Sequence, residues 1–112
     1  HFERQRPEEA TLYRLVQEAL TNVAKHASAD HASVVLDVRD GTLLAIVEDD
    51  GVGFDPEETL KRKGGEVPLG LFGMRERATL AGGECTIEST LGGSTTVLVR
   101  IPLLPPSTLA AD

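Results

Sequence analysis

Polar side chains that could bind a divalent cation recur at helical spacing in the first third of the chain. Glu18 and Asn22 are four residues apart, and Lys25 and His26 follow three and four residues later. On a helix these positions share one side. Asn22 offers a hard oxygen of the kind that Mg²⁺ accepts, and the phosphates of a nucleotide would supply further ligands. The same spacing is typical of the solvated side of an amphipathic helix, which is the alternative interpretation.

A carboxylate and two glycines form the motif D-x-G-x-G directly after an apolar segment. Asp49 could accept a hydrogen bond from an exocyclic amine such as that of adenine. Gly51 and Gly53 would let the backbone approach a flat ligand or adopt a positive φ. The neighbouring Asp50 could take the same role, although the register of the motif favours Asp49. A tight turn that leaves a strand is the alternative explanation of the motif.

A second segment with two glycines precedes a predicted helix. It consists of Gly70, Leu71, Phe72 and Gly73. Because unpaired N–H groups and the helix dipole attract anions to a helix N-terminus, this segment could hold a triphosphate. Capping of the helix by glycine would explain the same residues.

Two further segments could contribute to a nucleotide site. Lys61, Arg62 and Lys63 form the one basic run of an acidic chain, in the loop before the second pair of glycines, and could clamp phosphate. Thr95 lies in the segment GGSTT at the start of the last predicted strand, where its hydroxyl could reach the Asp49 carboxylate. A solvated loop and a hairpin turn, respectively, are the alternatives.

The metal-binding pattern requires a helix, and the sequence predicts one near the N-terminus. Pro7 suits the first turn, and Glu8 and Glu9 suit the positive end of the helix dipole. Apolar residues then recur at spacings of three and four as far as Ser28. This predicted apolar stripe consists of Leu12, Val16, Ala19, Leu20, Val23 and Ala27.

The remaining elements follow from alternation and from turn residues. Residues 33–39 and 43–48 read as two strands joined by the Asp40-Gly41 turn, and residues 55–68 read as a loop. Residues 71–80 return to helical spacing and stop at Gly82-Gly83, before a second hairpin. The order helix, hairpin, loop, helix, hairpin predicts a two-layer α+β sandwich, with helices on one face of a mostly antiparallel sheet.

Size and charge restrict the classes of function. A chain of 112 residues and 12.0 kDa fits one domain. The net charge of −7 disfavours binding to nucleic acid. The one cysteine of the chain, Cys85, can form neither an internal disulfide nor a multi-thiolate metal site, which suits a reducing compartment. Its apolar runs are far shorter than the ~20 residues that span a bilayer, so we expect no direct membrane contact.

Four segments in this order resemble one known family. LVQEALTNVAKHA (15–27), VEDDGVGF (47–54), GLFGMRERA (70–78) and GGSTTV (92–97) resemble the conserved boxes of histidine-kinase ATP-binding domains. The segments YRLVQEALTN (13–22) and GMRERA (73–78) are most similar to those of the subfamily of nitrate-responsive and membrane-fluidity sensors. The resemblance implies the Bergerat fold, with a mixed, mostly antiparallel sheet. It also implies a domain over residues 1–104, whose first strand is truncated, and a tail over residues 105–112.

The resemblance also implies roles around the purine base and the metal. Asn22 would hold Mg²⁺ through its side-chain oxygen, and Asp49 would accept from the adenine N6 amine. Gly51 and Gly53 would line the base. Thr95 would join the Asp49 hydrogen-bond network through water.

Around the phosphates, the resemblance implies contacts from both helices and the loop. Lys25 and His26 would face the phosphates, and Glu18 would be the catalytic residue that polarises the metal shell or orients a water. The residues whose backbone amides or side chains would reach the triphosphate are Lys61, Lys63, Gly70, Leu71, Phe72 and Gly73.

The implied function is that of a protein-histidine kinase domain with ATP and Mg²⁺ as its ligands, in a cytoplasmic setting. The acceptor histidine would lie on separate dimerisation helices of the parent protein, and a response regulator would receive the phosphoryl group afterwards. In the family that the chain resembles, an acidic residue closely follows the acceptor histidine. His1 precedes Phe2, and His26 and His31 each precede Ala, so none of them resembles the acceptor. We therefore expect no autophosphorylation of this chain alone. The alternatives are a serine kinase of the anti-sigma type and a module that binds ATP, or has lost it, without kinase activity.

Overall fold

Two antiparallel hairpins form one four-stranded sheet, and two helices pack against it. The computed structural model describes residues 6–53, residue 55 and residues 71–103. The elements are α1 (Pro7–Asn22), a π-helical turn (Val23–Ala27), β1 (Ala32–Arg39), β2 (Thr42–Asp49), α2 (Leu71–Leu80), β3 (Glu84–Ser89) and β4 (Thr95–Pro102). The strand order is β1-β2-β4-β3, and each pair is antiparallel.

The first helix starts where the sequence predicts, at Pro7. Arg6 holds the N-cap with an extended ψ of 147°, and its N–H donates to Glu9 Oε1 over 3.4 Å. Proline fits this first turn because it lacks the N–H that the turn leaves unpaired. The α1 residues that are buried in the core are Leu12, Leu15, Val16 and Ala19. The predicted stripe is therefore wrong at Leu20, which is 37% exposed, and it missed Leu15, which is fully buried.

The end of the first helix is wider than a regular α-helix. Residues Val23–Ala27 form a π-helical turn, and Ser28 ends it with φ 51° and ψ 41°, in the left-handed region. Hydrogen bonds from i to i+5 change the angular position of each later residue relative to 3.6-residue spacing. The regular α-helical spacing therefore ends at Asn22, and the π-helical turn sets the backbone positions of Lys25 and His26.

The second helix ends in the glycine stop that the sequence predicts. Gly82 has φ +83°, its N–H donates to Thr79 O over 2.9 Å, and the N–H of Gly83 donates to Ala78 O over 2.8 Å. This pair of bonds is a Schellman motif, which favours glycine because only glycine adopts a left-handed conformation without strain. The chain then enters β3.

The core lies between the helices and one face of the sheet. Helix α1 packs on β2 and β4, and α2 packs on β3 and β4. The buried apolar residues outside α1 are Leu43, Ala45, Val47, Met74, Ala78, Cys85, Ile87, Val97, Val99 and Ile101. The predicted two-layer α+β sandwich is confirmed. The strand pairs of the described residues are all antiparallel, and among those residues no helix is long and apolar enough to cross a membrane.

Strand β1 alternates as predicted, but the apolar residues on its helix-facing side are exposed. Val34, Leu36 and Val38 pair with core residues of β2 and share their face, yet they are 38%, 63% and 57% exposed. The reason is position, because α1 and α2 pack over β2, β4 and β3 and leave the β1 edge of the sheet uncovered by the described residues.

Candidate nucleotide-binding site

A row of polar side chains crosses the helix-facing side of the sheet at one end. Asp49 is the Cα partner of Thr95, and Thr95 is the Cα partner of Ser89. The same face carries apolar residues along the rest of these strands, beginning with Val47 and Val97 one rung away. Asp49 is 7% exposed and Thr95 is 8% exposed. We call Asp49, Thr95 and Ser89 the polar rung.

The carboxylate of Asp49 uses one oxygen for the local backbone. Its Oδ1 accepts from the N–H of Gly51 over 2.8 Å, an Asx turn that fixes the side chain at the strand end. Its Oδ2 accepts no hydrogen bond from any residue that the structure describes. No buried side-chain oxygen of the described residues lacks a partner, so Oδ2 is the part of this nearly buried residue that stays accessible, where a ligand could donate a hydrogen bond to it.

The adjacent Asp50 points to the opposite face and is already engaged. Its Oδ1 accepts from the N–H groups of Asp30 and His31, each over 2.9 Å, and its Oδ2 lies 3.0 Å from His31 Nδ1. The hydrogen bond from the His31 backbone, followed by that of the His31 side chain, lowers the pKa of Asp50. The two neighbouring carboxylates therefore face different parts of the protein: Asp49 faces the helices, and Asp50 faces the loop before β1.

Gly51 and Gly53 allow a close approach between three backbone segments. A Cβ on Gly51 would overlap the carbonyl oxygen of Ala27, and Gly53 has φ +67° with Thr90 O where a Cβ would stand. Between them, Val52 donates to Ala27 O over 2.8 Å and accepts from Gly92 N over 2.6 Å. We call these two hydrogen bonds of Val52 the Val52 clasp. It joins the π-helical turn to the turn before β4, so both glycines are explained by protein contacts.

Asn22 lies at the other side of this end of the molecule, where α1 meets α2. Its Nδ2 is 3.8 Å from Met74 Sδ, and Met74 is fully buried. This orientation places the donor of the amide on the sulfur, while a cation would bind the amide oxygen. Asn22 is half-buried and marks the last α-helical residue of α1.

Glu18 lies on the outer side of the two helices. It is half-buried and borders an open groove of about 730 Å³ together with Arg14 and Arg77. Asp49 borders a different depression, of about 330 Å³, at the end of the sheet. Glu18 and Asp49 thus line two different cavities.

The phosphate-binding predictions are described only in part. Lys25 is exposed on the π-helical turn. Helix α2 begins at Leu71, so all of the second glycine segment except Gly70 belongs to its first turn, and a Cβ on Gly73 would meet nothing within 4 Å. Lys61, Lys63 and Gly70 lie outside the described residues, as do the side chains of His26, Leu71 and Phe72.

Any Mg²⁺ in this site would depend on the nucleotide. The described residues contain no group of three or more His, Cys, Asp and Glu side chains that could hold a metal ion. One amide oxygen from Asn22 fits Mg²⁺ that keeps waters and takes its other ligands from phosphates. Cys85 is buried, and burial raises the pKa of its thiol to about 11, which makes it a core residue rather than a ligand.

The polar rung, the end of α1 and the start of α2 all meet at one end of the sandwich. The Val52 clasp joins the π-helical turn after α1 to the turn before β4, and Asn22, the last residue of α1, contacts Met74 of α2. Sequence reasoning missed Ser89 as part of this end. The hairpin register could have revealed Ser89, since a turn at residues 90–94 makes it the partner of Thr95.

The fold is that of a two-layer α+β domain with a polar end, and comparisons with known proteins show its family. The family described as "Histidine kinase-, DNA gyrase B-, and HSP90-like ATPase" matches residues 8–105. The chain belongs to this family.

The similar proteins are sensor kinases. The oxygen sensor histidine kinase NreB of Staphylococcus carnosus is 41% identical over 95 residues, 85% of this chain and 26% of that protein. The signal transduction histidine-protein kinase/phosphatase DegS of Bacillus subtilis is 35% identical over 85% of this chain and 24% of its own length. The chain thus spans about a quarter of these relatives.

Among solved structures, a histidine kinase domain of a blue-light activated kinase from Erythrobacter litoralis matches with a TM-score of 0.63 and 30% identity. The match covers 94% of this chain and 49% of that chain. The sandwich of α1, α2 and four strands is therefore the fold of a histidine-kinase ATP-binding domain.

Proposed function

We propose that this chain is the ATP-binding catalytic domain of a sensor histidine kinase, which presents Mg·ATP for phosphoryl transfer to a histidine on separate dimerisation helices. The observation that carries the proposal is the Asp49 carboxylate. It is nearly buried, it is fixed by the Gly51 N–H, and its Oδ2 has no donor among the described residues. Family membership supports ATP as the ligand that supplies that donor.

Asp49 selects the base. Its Oδ2 accepts a hydrogen bond from the adenine N6 amine, and a charged acceptor makes such a bond roughly twice as strong as a neutral one. Thr95, its cross-strand partner, extends the contact through water. Gly51 and Gly53 keep the loop close enough to the protein backbone that the carboxylate stays at the strand end.

The C-terminal end of α1 and the N-terminal end of α2 position the triphosphate. Asn22 would hold Mg²⁺ through its amide oxygen, and the bound ion would supply positive charge beside the transferred phosphoryl group. The free N–H groups at the start of α2 bind phosphate oxygens, and the open space at Gly73 leaves room for them. Lys25, His26, Lys61, Lys63 and the segment Gly70, Leu71 and Phe72 complete the phosphate contacts.

Glu18 acts at the outer edge of this site. From the groove beside Arg14 and Arg77 it polarises the metal shell or orients a water. The phosphoacceptor helices of the parent protein dock at this end of the domain, and a response regulator takes the phosphoryl group in a later step. The reaction takes place on the cytoplasmic side. The sensor-kinase relatives favour this branch over the anti-sigma type of serine kinase.

The proposal is tested by titrating ATP into the chain with magnesium present and comparing Asp49→Asn with the unchanged protein. The substitution keeps an oxygen for the Gly51 N–H but replaces the second oxygen with a donor that faces another donor. We expect a loss of roughly 1.5–3 kcal/mol, or about 10- to 150-fold in affinity.

Asp37→Asn is the matched control, because Asp37 is an exposed acid on β1 whose carboxylate contacts only Val38 and Arg39 among the described residues. We expect its affinity for ATP to stay unchanged. Equal ATP affinities for Asp49→Asn and the unchanged chain would refute the assignment of the base site.

A further inference from the structure

A short contact between two hydroxyl groups lies next to the Asp49 carboxylate. Ser89 Oγ is 2.6 Å from Thr95 Oγ1. Ser89, Thr95 and Asp49 are successive partners across the β3, β4 and β2 ladders, so the three side chains stand in a row on the helix-facing side of the sheet. Neither composition nor motif singles out Ser89, and its place in this row comes from the register.

The contact is strong enough to orient Thr95. A separation of 2.6 Å is at the short end of the range for O–H···O hydrogen bonds, whereas the contact from Ser89 Oγ to Ser94 O is 3.4 Å long. Thr95 is 8% exposed, so little water competes for its hydroxyl. The Ser89 hydroxyl therefore restricts the rotation of the Thr95 hydroxyl.

The direction of that bond decides what Thr95 offers to its other neighbours. Each hydroxyl has one proton to donate and two lone pairs to accept with. If Ser89 donates to Thr95, the Thr95 proton is free to go to an acceptor on the Asp49 side. If Thr95 donates to Ser89, it presents only lone pairs there.

We propose that Ser89 is a positioning residue for nucleotide selection: it orients the Thr95 hydroxyl and so fixes the donors and acceptors that Thr95 and Asp49 present to the amine-bearing edge of a 6-aminopurine. The inference rests on the proposed function, because it takes Asp49 as the acceptor for the base. Ser89 acts through Thr95 and does not touch the nucleotide.

A purely structural role for Ser89 makes a different prediction. A hydroxyl that only closes the end of the β3–β4 hairpin would affect all nucleotides equally, since it would change the amount of folded protein or the shape of the whole site. A positioning role affects ATP more than an analogue without the 6-amino group. The ratio of the two affinities therefore separates the two roles.

The experiment titrates ATP and purine riboside 5′-triphosphate, which lacks the 6-amino group, into the full 112-residue chain with magnesium. For Ser89→Ala we expect ATP to bind roughly 3- to 10-fold more weakly, the loss that accompanies one neutral hydrogen bond. The preference for ATP over the analogue should shrink by a similar factor. Ser89→Thr, which keeps the hydroxyl, should restore both values.

Thr86→Val is the matched control. Thr86 lies on the same strand but faces the other side of the sheet, opposite Leu98. This control should leave the preference for ATP unchanged. If Ser89→Ala does not fold, as judged by circular dichroism, Ser89→Cys replaces it, because a thiol has a similar shape but is a weak donor.

An unchanged ratio of affinities in Ser89→Ala or Ser89→Cys would overturn the inference. Asp49→Asn distinguishes this failure from that of the proposed function. If Asp49→Asn weakens ATP binding and the Ser89 variants leave the ratio intact, only the inference fails. If Asp49→Asn also leaves ATP binding unchanged, the proposed base site fails and the inference fails with it.

Discussion

Asp49 and Asp50 differ in role because successive side chains of a strand point to opposite faces. Asp49 continues the helix-facing side of β2, where Ala45 and Val47 are buried, and so reaches the site end of the core. Asp50 faces the loop before β1 and accepts three hydrogen bonds from residues 30 and 31. The motif D-x-G-x-G thus contains one carboxylate available to a ligand and one that holds the protein together.

The role of Asp50 predicts a specific dependence of stability on pH. Its pKa is lowered in the folded state, so the unfolded chain binds the proton more tightly. The stabilisation is present at a pH above the ordinary value of 3.8 and is lost as the pH falls through the lower folded value. We expect the difference in free energy of unfolding between the unchanged chain and Asp50→Asn to shrink as the pH falls from about 5 to about 2.

Urea unfolding at several pH values measures this difference. Glu88→Gln is the control for the loss of one exposed negative charge, since Glu88 lies on β3 away from residues 30 and 31. A difference between Asp50→Asn and the unchanged chain that stays constant over the whole range would contradict the assignment.

Asn22 gives the second prediction at the residue scale. Asn22→Ala removes the one protein oxygen proposed for the metal, so ATP affinity in the presence of magnesium should fall by about 10-fold or more. In EDTA, the variant and the unchanged chain should bind ATP alike. Gln17→Ala, on the exposed side of α1, serves as the control. Calorimetric titrations with and without magnesium that show full magnesium dependence in Asn22→Ala would count against the role.

Among the elements, the Val52 clasp connects the π-helical turn after α1 with the turn before β4. The π-helical turn brings Ala27 O to the N–H of Val52, and the turn before β4 brings Gly92 N to its carbonyl. Two segments far apart in sequence are thus joined through one residue of the D-x-G-x-G loop. The close approach of the D-x-G-x-G loop to the π-helical turn depends on glycine at position 51, where any side chain would overlap Ala27.

Gly51→Ala and Gly73→Ala form a matched pair that separates stability from binding. Gly51→Ala forces a carbon into the Ala27 carbonyl and should lower the free energy of unfolding by about 1–3 kcal/mol. Gly73→Ala enters open space in a helix and should raise it by roughly 0.5–1 kcal/mol, while weakening ATP binding if phosphates occupy that space. Thermal unfolding and ATP titration of both variants check this. A stable Gly51→Ala would contradict the role of the clasp, and normal ATP binding by Gly73→Ala would place the phosphates elsewhere.

The sequence predicted the elements where local chemistry determines them. Pro7 starts α1 and Gly82 stops α2 because each has a backbone restriction or freedom that is independent of the rest of the fold. The π-helical turn was missed, because a change from 3.6-residue spacing leaves no mark in the pattern of apolar residues. The exposure of Leu36 was missed for another reason, since alternation predicts which side a residue faces but not whether a helix covers it.

For the molecule as a whole, the sequence predicted those residues of the candidate site that belong to local motifs. Asn22, Asp49 and Thr95 were found by motif, and the structure places the last two as cross-strand partners. Ser89 required the register of β3 against β4, and the contact of Asn22 with Met74 required the packing of α1 on α2. These contacts join residues that are distant in sequence, and no local pattern encodes them.

The last prediction concerns what the chain does by itself. Phosphoryl transfer to histidine needs an imidazole in line with the γ-phosphate. His31 is already 3.0 Å from Asp50, in the loop before β1 and on the far side of β2 from the polar rung. The chain should therefore bind Mg·ATP yet retain no acid-labile, alkali-stable label after incubation with γ-labelled ATP. ATP binding by the same sample is the positive control, and His31→Gln tests the one histidine whose side chain is described. Stable label that disappears in His31→Gln would show that this histidine accepts phosphate and that the domain needs no separate acceptor.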